Sequence, residues 1–334
     1  MTFRIRAARA DDLAALYEMA KLTGEGFTNL PAHKPSLEAK LARSDAAFAR
    51  PEDSLGDDLF VLMLENSETG TARGTSQLFS QVGTTAPFYS YRIGTLTQHS
   101  RELGRTFRAE LLSLSTDLEG ASEVGGLFLH PRERAGGLGG LLARSRYLFI
   151  RQHRARFADQ LLAELRGVID EAGGSPFWDG LAGRFFGMTF QEADAFNAVR
   201  GNQFIADLMP KHPIYTAMLP DSARSVMGRP HPNGRAALRM LEAEGLHHDR
   251  YIDIFDGGPT VHARTDRVKT IAGAEDIVIR AVGPTDAPRR LLATGELAAF
   301  RAGFGCIGVD GTVAADTAAL LALEPGMAVA VAPQ

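Results

Sequence analysis

The spacing of hydrophobic residues at the start of this 334-residue chain predicts two helices joined by a loop. The first helix begins near Asp11, because aspartate commonly caps helices and the apolar residues after it recur at helical spacing. Residues 24–35 are rich in glycine, asparagine and proline, which predicts the loop. The second helix covers residues 36–49, and one of its faces carries Leu37, Leu41, Ser44 and Phe48.

Runs of strand-forming residues come next. Residues 58–66 and 71–82 are two such runs, and the turn-forming segment SETG between them predicts a hairpin. The mixed pattern over residues 87–118 predicts further strands. Residues 122–129 are a short apolar run that Pro131 closes, which predicts a buried strand.

A glycine-rich loop separates that strand from a long predicted helix. The loop contains Gly136, Gly137, Gly139 and Gly140. The helix after it carries its apolar stripe on Leu138, Leu141, Leu142, Ser145, Leu148, Phe149 and Gln152. Residues 160–170 return to a strand pattern. Strand, loop, helix and strand in this order predict a βαβ unit.

The remaining chain divides into three segments. Glycine and proline punctuate residues 171–230, which predicts short helices wrapped over a core. Residues 231–259 predict a capped helix that stops at Gly245 and leads into a strand. Short apolar runs alternate with turns after that. We therefore expect a main domain over residues 1–260, with an insertion at about 171–230, and a β-rich C-terminal appendage over residues 261–334.

Composition excludes several functional classes. The net charge is −4, which argues against extensive nucleic-acid binding. A single cysteine, Cys306, excludes an intrachain disulfide and a thiolate metal cluster, and we expect it to be a small buried side chain. The N-terminus lacks the features of a signal peptide, and no apolar run reaches the length of about 18 residues that a membrane span needs. We expect a soluble, cytoplasmic protein.

The glycine loop has the sequence context of an anion site. The first N–H groups of a helix have no partner within the helix, and glycine lets a phosphate approach them. Four arginines add positive charge nearby: Arg132, Arg134, Arg144 and Arg146. The alternative is a surface turn with solvated arginines. Leu141 follows Gly140 where a nucleotide-hydrolysing P-loop has lysine, and the G-x-G-x-x-G at 303–308 has no helix after it, so neither nucleotide motif applies.

The order Arg134-Ala-Gly-Gly137-Leu-Gly139 resembles the Arg/Gln-x-x-Gly-x-Gly/Ala loop of GNAT acyltransferases. In that superfamily the loop holds the pyrophosphate of an acyl-coenzyme A. The strands on either side, here 122–129 and 160–167, separate to admit the pantetheine arm. Residues 232–255 are similar to a later helix-to-strand segment, with Leu246 where phenylalanine is usual.

Longer segments resemble the arginine N-succinyltransferase family. They include LTGEGFTNLP, PFYSYRIGTL, AELRGVIDEAGGSPFW and EAEGLHHDRYIDIFDGGPT, and the match covers roughly residues 1–265. The resemblance implies an α+β, GNAT-like fold: a mixed, mostly antiparallel sheet flanked by helices, with the helical insertion and the C-terminal appendage. It implies transfer of succinyl from succinyl-CoA to the α-amine of L-arginine in arginine catabolism. It also implies a homo-oligomer or pairing with a related subunit.

The resemblance also implies the site residues. His231 would be the proton-donating catalytic residue, although the residues alone allow it equally to cap the helix that follows. Acyl-CoA would contact the backbone of Leu127 and the loop residues Arg134, Gly136, Gly137, Gly139 and Gly140. Succinyl-CoA would be a co-substrate. We expect no tightly bound cofactor and no metal, since no H-E-x-x-H or similar spacing occurs.

The charged groups of the two substrates need oppositely charged side chains, and the sequence offers several candidates for each. The guanidinium of an arginine substrate calls for carboxylates, and the candidates are Glu25, Glu123, Asp253 and Asp256. The succinyl carboxylate calls for a cation, and the candidates are Arg92, Arg166 and Lys211. We expect His99 and His212 to be structural or exposed, and we do not expect the adjacent His247 and His248 to form a metal pair. The aromatic residues within 177–190 fit a core better than a ligand cage.

Two alternatives stay open from the sequence. The acceptor could be ornithine or another amine. The chain could also be a non-catalytic acyl-CoA-binding subunit that pairs with an active relative. The family usually has Cys-Thr where this chain has Gly125-Gly126, and Asn-Gly where it has Leu138-Gly139, and both differences fall at the expected cofactor site.

Overall fold

The computed structural model contains both strands and helices and describes residues 2–23, 29–134, 136–201 and 203–333. Within these ranges the strands are β1 (Phe3–Ala7), β2 (Leu59–Asn66), β3 (Ala72–Phe79), β4 (Ser90–Ser100), β5 (Arg105–Ser115), β6 (Ser122–Leu129), β7 (Gln160–Glu164), β8 (Ile214–Tyr215), β9 (His247–Asp253), β10 (Pro259–Arg264), β11 (Glu275–Val278), β12 (Ala281–Val282), β13 (Arg289–Thr294), β14 (Arg301–Cys306), β15 (Thr312–Val313) and β16 (Ala328–Val331). The helices are α1 (Leu13–Ala20), α2 (Lys34–Ala49), α3 (Leu138–Gln152), α4 (Pro176–Gly180), α5 (Gly183–Phe186), α6 (Phe190–Arg200), α7 (Gln203–Leu208), α8 (Asp221–Val226), α9 (Arg235–Ala243), α10 (Lys269–Gly273) and α11 (Ala315–Leu321).

One large sheet dominates the structure. Its strand order is β11-β16-β13-β14-β1-β2-β3-β6-β7-β10-β9-β4-β5-β8. Among the strand pairs of this sheet in the described ranges, β6–β7 is parallel and the others are antiparallel. The predicted α+β class with a mostly antiparallel sheet is confirmed.

Helices cover both faces of the centre of the sheet. Leu141, Leu142, Leu148 and Phe149 of α3 are buried in a core with alternate residues of β2, such as Leu62. The other residues of β2 pack beneath α1 and α2, where the predicted stripe of α2 is buried. Because both faces are covered, β2 is a continuous apolar run instead of an alternating one.

The helical segment at the N-terminus begins before Asp11, as a 3-10 turn over Ala10–Asp12 that leads into α1. Asp12, not Asp11, accepts the backbone N–H of Arg9, at 2.8 Å. Asp12 also accepts two bonds from the Arg6 guanidinium, at 2.7 and 2.8 Å. Glu65 on β2 completes a buried ion network with Arg6. The carboxylates of Asp12 and Glu65 are therefore held by charge-assisted hydrogen bonds from Arg6 inside the fold.

The segment predicted as a helical insertion forms α4 to α8. Phe177, Trp178 and Phe190 are buried in a second core, as the core interpretation of the aromatic residues predicts. Phe185 is 52% exposed and does not belong to this core. Strands β4 and β5, which were expected within residues 87–118, form a long hairpin beside the same core.

The C-terminal residues extend the large sheet. β14 pairs with β1, with Ile5 opposite Ala302, and β13, β16 and β11 follow outward. The domain boundary at 260 stays a prediction, and it falls inside β10, which pairs with β7 and β9. Cys306 ends β14 and is half-buried, so it is less enclosed than expected. Within the described ranges, no helix combines the length and apolar character needed to cross a membrane.

Candidate active site

The glycine loop leads directly into the first turn of α3. Gly136 and Gly137 have φ angles of 64° and 78°, a left-handed conformation that favours glycine. Among the described residues, apart from chain neighbours and the backbone of α3, a Cβ at Gly136 or Gly140 would have no atom within 4 Å, so the loop faces open space at these two positions. Because Gly137 has no side chain to cap α3, an anion can reach the first amides of the helix.

The structure separates the four arginines around this loop. Arg132 and Arg134 are exposed beside it. Arg144 is paired with Glu244 at 3.0 Å and donates to the Pro333 carbonyl at 2.8 Å. Arg146 is 2% exposed and bonds to a carbonyl of its own helix, so its expected contribution to the anion site is wrong. Its position places it on the inner face of α3.

Strands β6 and β7 are paired over only two residues. Ser122 lies opposite Leu161 and Glu123 lies opposite Leu162, and the parallel pairing in the described structure ends there. β7 then pairs with β10 on its other side, up to Glu164. The backbone groups of β6 beyond Glu123 therefore face a gap, into which a ligand with amide groups can bind as an added strand would.

A bulge in β6 lies beside this gap. On β3, Gln77 is opposite Gly125 and Thr75 is opposite Phe128, so Gly126 and Leu127 share the space opposite one residue. Gly126 has φ 57°, which is the left-handed conformation of the first residue in a glycine-type bulge. A bulge leaves a backbone group unpaired in the ladder. The Leu127 backbone that the sequence implicated therefore lies at an irregularity on the edge of the gap.

His231 is hydrogen-bonded to the segment that follows β7. Its N–H donates to the Arg166 carbonyl at 2.8 Å. Its ring Nδ1 accepts the Asn233 N–H at 3.2 Å, so the neutral ring carries its hydrogen on Nε2. Partial burial and the charge of Arg166 lower the pKa of His231. The residue therefore caps the following helical turn and also presents an Nε2–H donor.

Four carboxylates lie close enough to influence one another's titration. Burial raises the pKa of Glu164 well above its usual value, and the charges of Asp253, Glu123 and Asp256 raise it further. Burial also raises the pKa of Glu123, against an Asn29 hydrogen bond and the charge of Lys40. Burial and Asp253 raise the pKa of Asp256 to about 8. Such raised pKa values are typical of functional sites.

The four acids divide into two pairs by their contacts. Asp253 accepts the N–H groups of Phe255 and Asp256, at 2.7 and 2.8 Å. Asp256 accepts those of Gly167 and Gly258, at 2.7 and 2.8 Å. These two carboxylates thus hold the β9–β10 turn against β7.

Glu123 and Glu164 are held less by backbone hydrogen bonds than Asp253 and Asp256 are. Thr260 donates to Glu164 over 3.4 Å, a weak bond, and Glu164 is half-buried. Leu161 and Ala163 of β7 point into the α3 core, so Glu164, which alternates with them, points to the opposite face of the sheet. Glu123 points to that same face, because it lies opposite Leu162.

The comparisons with known proteins settle the family. Residues 3–270 match the family model described as arginine N-succinyltransferase beta subunit. The chain belongs to the arginine N-succinyltransferase family. It is 43% identical over 282 residues to the arginine N-succinyltransferase subunit beta of Pseudomonas aeruginosa, covering 84% of this chain and 82% of that protein. It is 44% identical over 267 residues to an arginine N-succinyltransferase of Shigella flexneri, covering 80% and 77%.

A solved member of the arginine N-succinyltransferase family has the same fold. It is the arginine/ornithine succinyltransferase subunit AI of Pseudomonas aeruginosa, with a TM-score of 0.91 and 32% identity. The match covers 99% of this chain and 98% of that one, so the C-terminal strands are included. The predicted GNAT-like α+β architecture is confirmed by this match.

Other predicted substrate partners lie in different places. Glu25 lies outside the described residues. Arg92 is exposed and 3.5 Å from Asp117. Lys211 belongs to the insertion and donates to the Ala206 carbonyl. Among the three predicted cations, Arg166 is the one beside His231.

The remaining histidines form no evident catalytic arrangement. His99 contacts Thr106 at 3.0 Å, and His212 is exposed. His248 Nδ1 lies 3.1 Å from the Thr260 carbonyl, and the ring of His247 is 5.4 Å from that of His262. In the described part of the chain, no group of three or more histidine, cysteine or acidic side chains is placed to hold a metal ion.

Sequence reasoning missed two residues of this region. Glu164 ends β7, and its strand pattern alone did not distinguish it from a solvated residue. Lys40 lies on α2 between Leu37 and Leu41, on the face that the apolar stripe marks as buried. A lysine on a buried stripe is unusual. That departure from the pattern was the available signal.

Proposed function

We propose that this protein transfers the succinyl group of succinyl-CoA to the α-amine of L-arginine. The observation that supports it most is the gap between β6 and β7, which lies next to a bulge at Gly126 and is followed along the chain by the glycine-rich N-terminus of α3. This arrangement suits an extended thioester with a diphosphate at one end. The names of the relatives supply the acyl group and the acceptor.

The donor would be held mainly by backbone. The diphosphate would accept hydrogen bonds from the amides of Gly137, Gly139 and Gly140, with Gly136 shaping the turn and Arg134 adding charge. The pantetheine arm would occupy the β6–β7 gap. The thioester carbonyl would accept the Leu127 N–H at the bulge, which stabilises the oxyanion that forms on attack.

The acceptor would approach from the face of Glu123 and Glu164. Arginine carries an α-ammonium and a guanidinium, and a cluster of acids with raised pKa values is relieved by binding cations. Glu164 would accept a proton from the α-ammonium, and its raised pKa suits a general base. The free amine then attacks the carbonyl carbon, forming the C–N bond of the amide.

Collapse of the intermediate breaks the C–S bond, and the thiolate of CoA leaves. His231 would stabilise this sulfur by a hydrogen bond from Nε2–H, because its Nδ1 is occupied as an acceptor. The second proton of the attacking nitrogen accompanies the departing thiol. This chemistry uses a neutral histidine, in agreement with its lowered pKa.

The direct test measures release of free thiol by the purified chain. Initial rates are compared for arginine, ornithine and lysine, each with succinyl-CoA and acetyl-CoA. We expect the highest kcat/KM for arginine with succinyl-CoA. Absence of thiol release with any of these amines, under conditions where the protein is folded, would contradict the proposal.

Ornithine is the second candidate acceptor, because the solved relative is named arginine/ornithine succinyltransferase. The same assay separates the two amines. Relatives are also named as subunits, and we propose that this chain pairs with a second copy or a related subunit. Activity that appears only after a related subunit is added would instead favour a non-catalytic role for this chain.

A further inference from the structure

A buried polar cluster lies beneath the bulge of β6, on the α2 side of the sheet. Lys40 Nζ donates to the Asn29 carbonyl at 2.6 Å and to Gln77 Oε1 at 3.1 Å. Gln77 Nε2 donates to the same Asn29 carbonyl at 2.8 Å. Asn29 Nδ2 lies 3.3 Å from Glu123 Oε1 and links the cluster to the acidic pair.

Two glycines make room for this cluster. A Cβ at Gly126 would lie 2.6 Å from Cδ of Gln77, and a Cβ at Gly125 would lie 2.7 Å from Nδ2 of Asn29. No real Cβ tolerates such contacts. The amide side chains therefore lie directly against the strand whose next residue, Leu127, is proposed to hold the thioester.

In the part of the chain that the structure describes, Lys40 uses two of the three donors of its ammonium, because two acceptors contact it there. The residue as a whole is half-buried, so part of its surface remains accessible. Arg43 and Glu123 are the charged groups that act on it, with opposite effects. An added carboxylate would neutralise a cation that burial otherwise disfavours.

The length of the succinyl chain limits how far its carboxylate-binding group can lie from the thioester. With C–C bonds of about 1.5 Å, the free carboxylate of a succinyl thioester lies roughly 5 Å from the thioester carbon. Lys40 is one hydrogen bond away from Gln77, whose amide touches the Gly126 position beside Leu127. We propose that Lys40 binds the free carboxylate of the succinyl group and so selects a dicarboxylic acyl donor. This rests on the proposed acyl-CoA site.

The test compares succinyl-CoA with butyryl-CoA, an acyl donor of the same chain length without the carboxylate. For Lys40→Met we expect kcat/KM with succinyl-CoA to fall about 100-fold or more, because a buried charge loses its partner. The value with butyryl-CoA should change less than about threefold, since no charge is involved. Lys34→Met is the matched control, because Lys34 is exposed at the start of the same helix.

Equal falls with both donors would assign Lys40 a purely structural role, and an unchanged succinyl-CoA rate would exclude it from the donor site. If Lys40→Met does not fold, Lys40→Gln and Lys40→Arg replace it, and only Lys40→Arg should keep the preference. If the wild type transfers no acyl group, the proposed function fails. Calorimetric affinities for the two thioesters still test Lys40, because its loss should weaken succinyl-CoA binding alone.

The pH dependence of donor preference gives a second test of the role of Lys40. Burial lowers the pKa of Lys40 to about 8, with Glu123 opposing and Arg43 assisting this shift. Lys40 is therefore charged below pH 8 and neutral above it. The ratio of succinyl-CoA to butyryl-CoA kcat/KM should fall above pH 8 in the wild type and stay flat in Lys40→Met. A flat wild-type ratio between pH 7 and 9.5 would overturn the assignment.

Discussion

Substitution of Gly126 by alanine tests the geometry of the bulge. A left-handed conformation costs a residue with a Cβ about 1–2 kcal/mol. The new Cβ would also lie 2.6 Å from Cδ of Gln77, and overpacking of this kind costs about 1–3 kcal/mol. Gln77 cannot swing away freely, because it is bonded to Asn29 and Lys40. We therefore expect Gly126→Ala to lower the free energy of unfolding by about 2–5 kcal/mol.

A double-mutant cycle separates the two contributions. Gln77→Ala alone should cost about 1–2 kcal/mol through its lost hydrogen bonds. In Gly126→Ala/Gln77→Ala the overlap is gone and the backbone strain remains, so the double variant should be about 1–3 kcal/mol more stable than additivity predicts. Urea unfolding at constant m-value measures each corner of the cycle. Strict additivity would show that Gln77 does not fill the space beside Gly126, and the bulge argument would fail.

The other expectations concern single side chains. Gly140→Ala adds a methyl group in open space, so the free energy of unfolding should stay the same or rise by up to about 1 kcal/mol. The KM for acyl-CoA should rise about tenfold or more, because the methyl group narrows the approach of the phosphate. An unchanged KM would refute the loop site. His231→Ala should lower kcat by about 10²–10⁴ with calorimetric acyl-CoA affinity retained, and wild-type turnover would exclude it. Glu164→Gln should lower kcat about 100-fold or more. Folding raises the pKa of Glu164, so its ionisation destabilises the fold as pH rises above about 4.3. The melting temperature of Glu164→Gln should therefore exceed that of the wild type at pH 8 but not at pH 4. Equal melting temperatures of the two proteins at both pH values would contradict the burial of Glu164 among other acids.

Elements whose side chains follow a local period were predictable. The stripe on α2 is buried as its spacing predicts. The strand over residues 122–129, the glycine loop and α3 also occur in the predicted order. Hydrophobic periodicity reports which face is buried, and it needs no knowledge of the partner. The same reasoning recognised the exposed glycine loop, because a loop between strand and helix is a local feature.

Features that depend on distant residues were not predictable. β7 ends at Glu164 and not near residue 170. The β9–β10 turn packs so closely on the following residues that a Cβ at Gly167 would lie 2.4 Å from the Asp256 carbonyl. The C-terminal strands join the sheet through β14 and β1, which lie at opposite ends of the chain. Arg146 was expected to add positive charge near the glycine loop, but its helical position turns it inward.

The two glycine groups of this chain differ in what they offer a substrate, and that difference predicts where specificity lies. In the proposed site the loop from Gly136 to Gly140 offers mainly backbone amides to the CoA diphosphate, so recognition of the CoA end depends on few side chains and changes little when side chains change. Gly125 and Gly126 instead admit Asn29 and Gln77, and through them Lys40, so recognition of the acyl end depends on side chains. Substitutions beneath the bulge can therefore change which acyl group such a site accepts, while its affinity for CoA is kept. Substitutions at Lys40 should therefore alter donor choice at constant affinity for CoA itself, and a parallel loss of CoA affinity would show that the two ends are not independent.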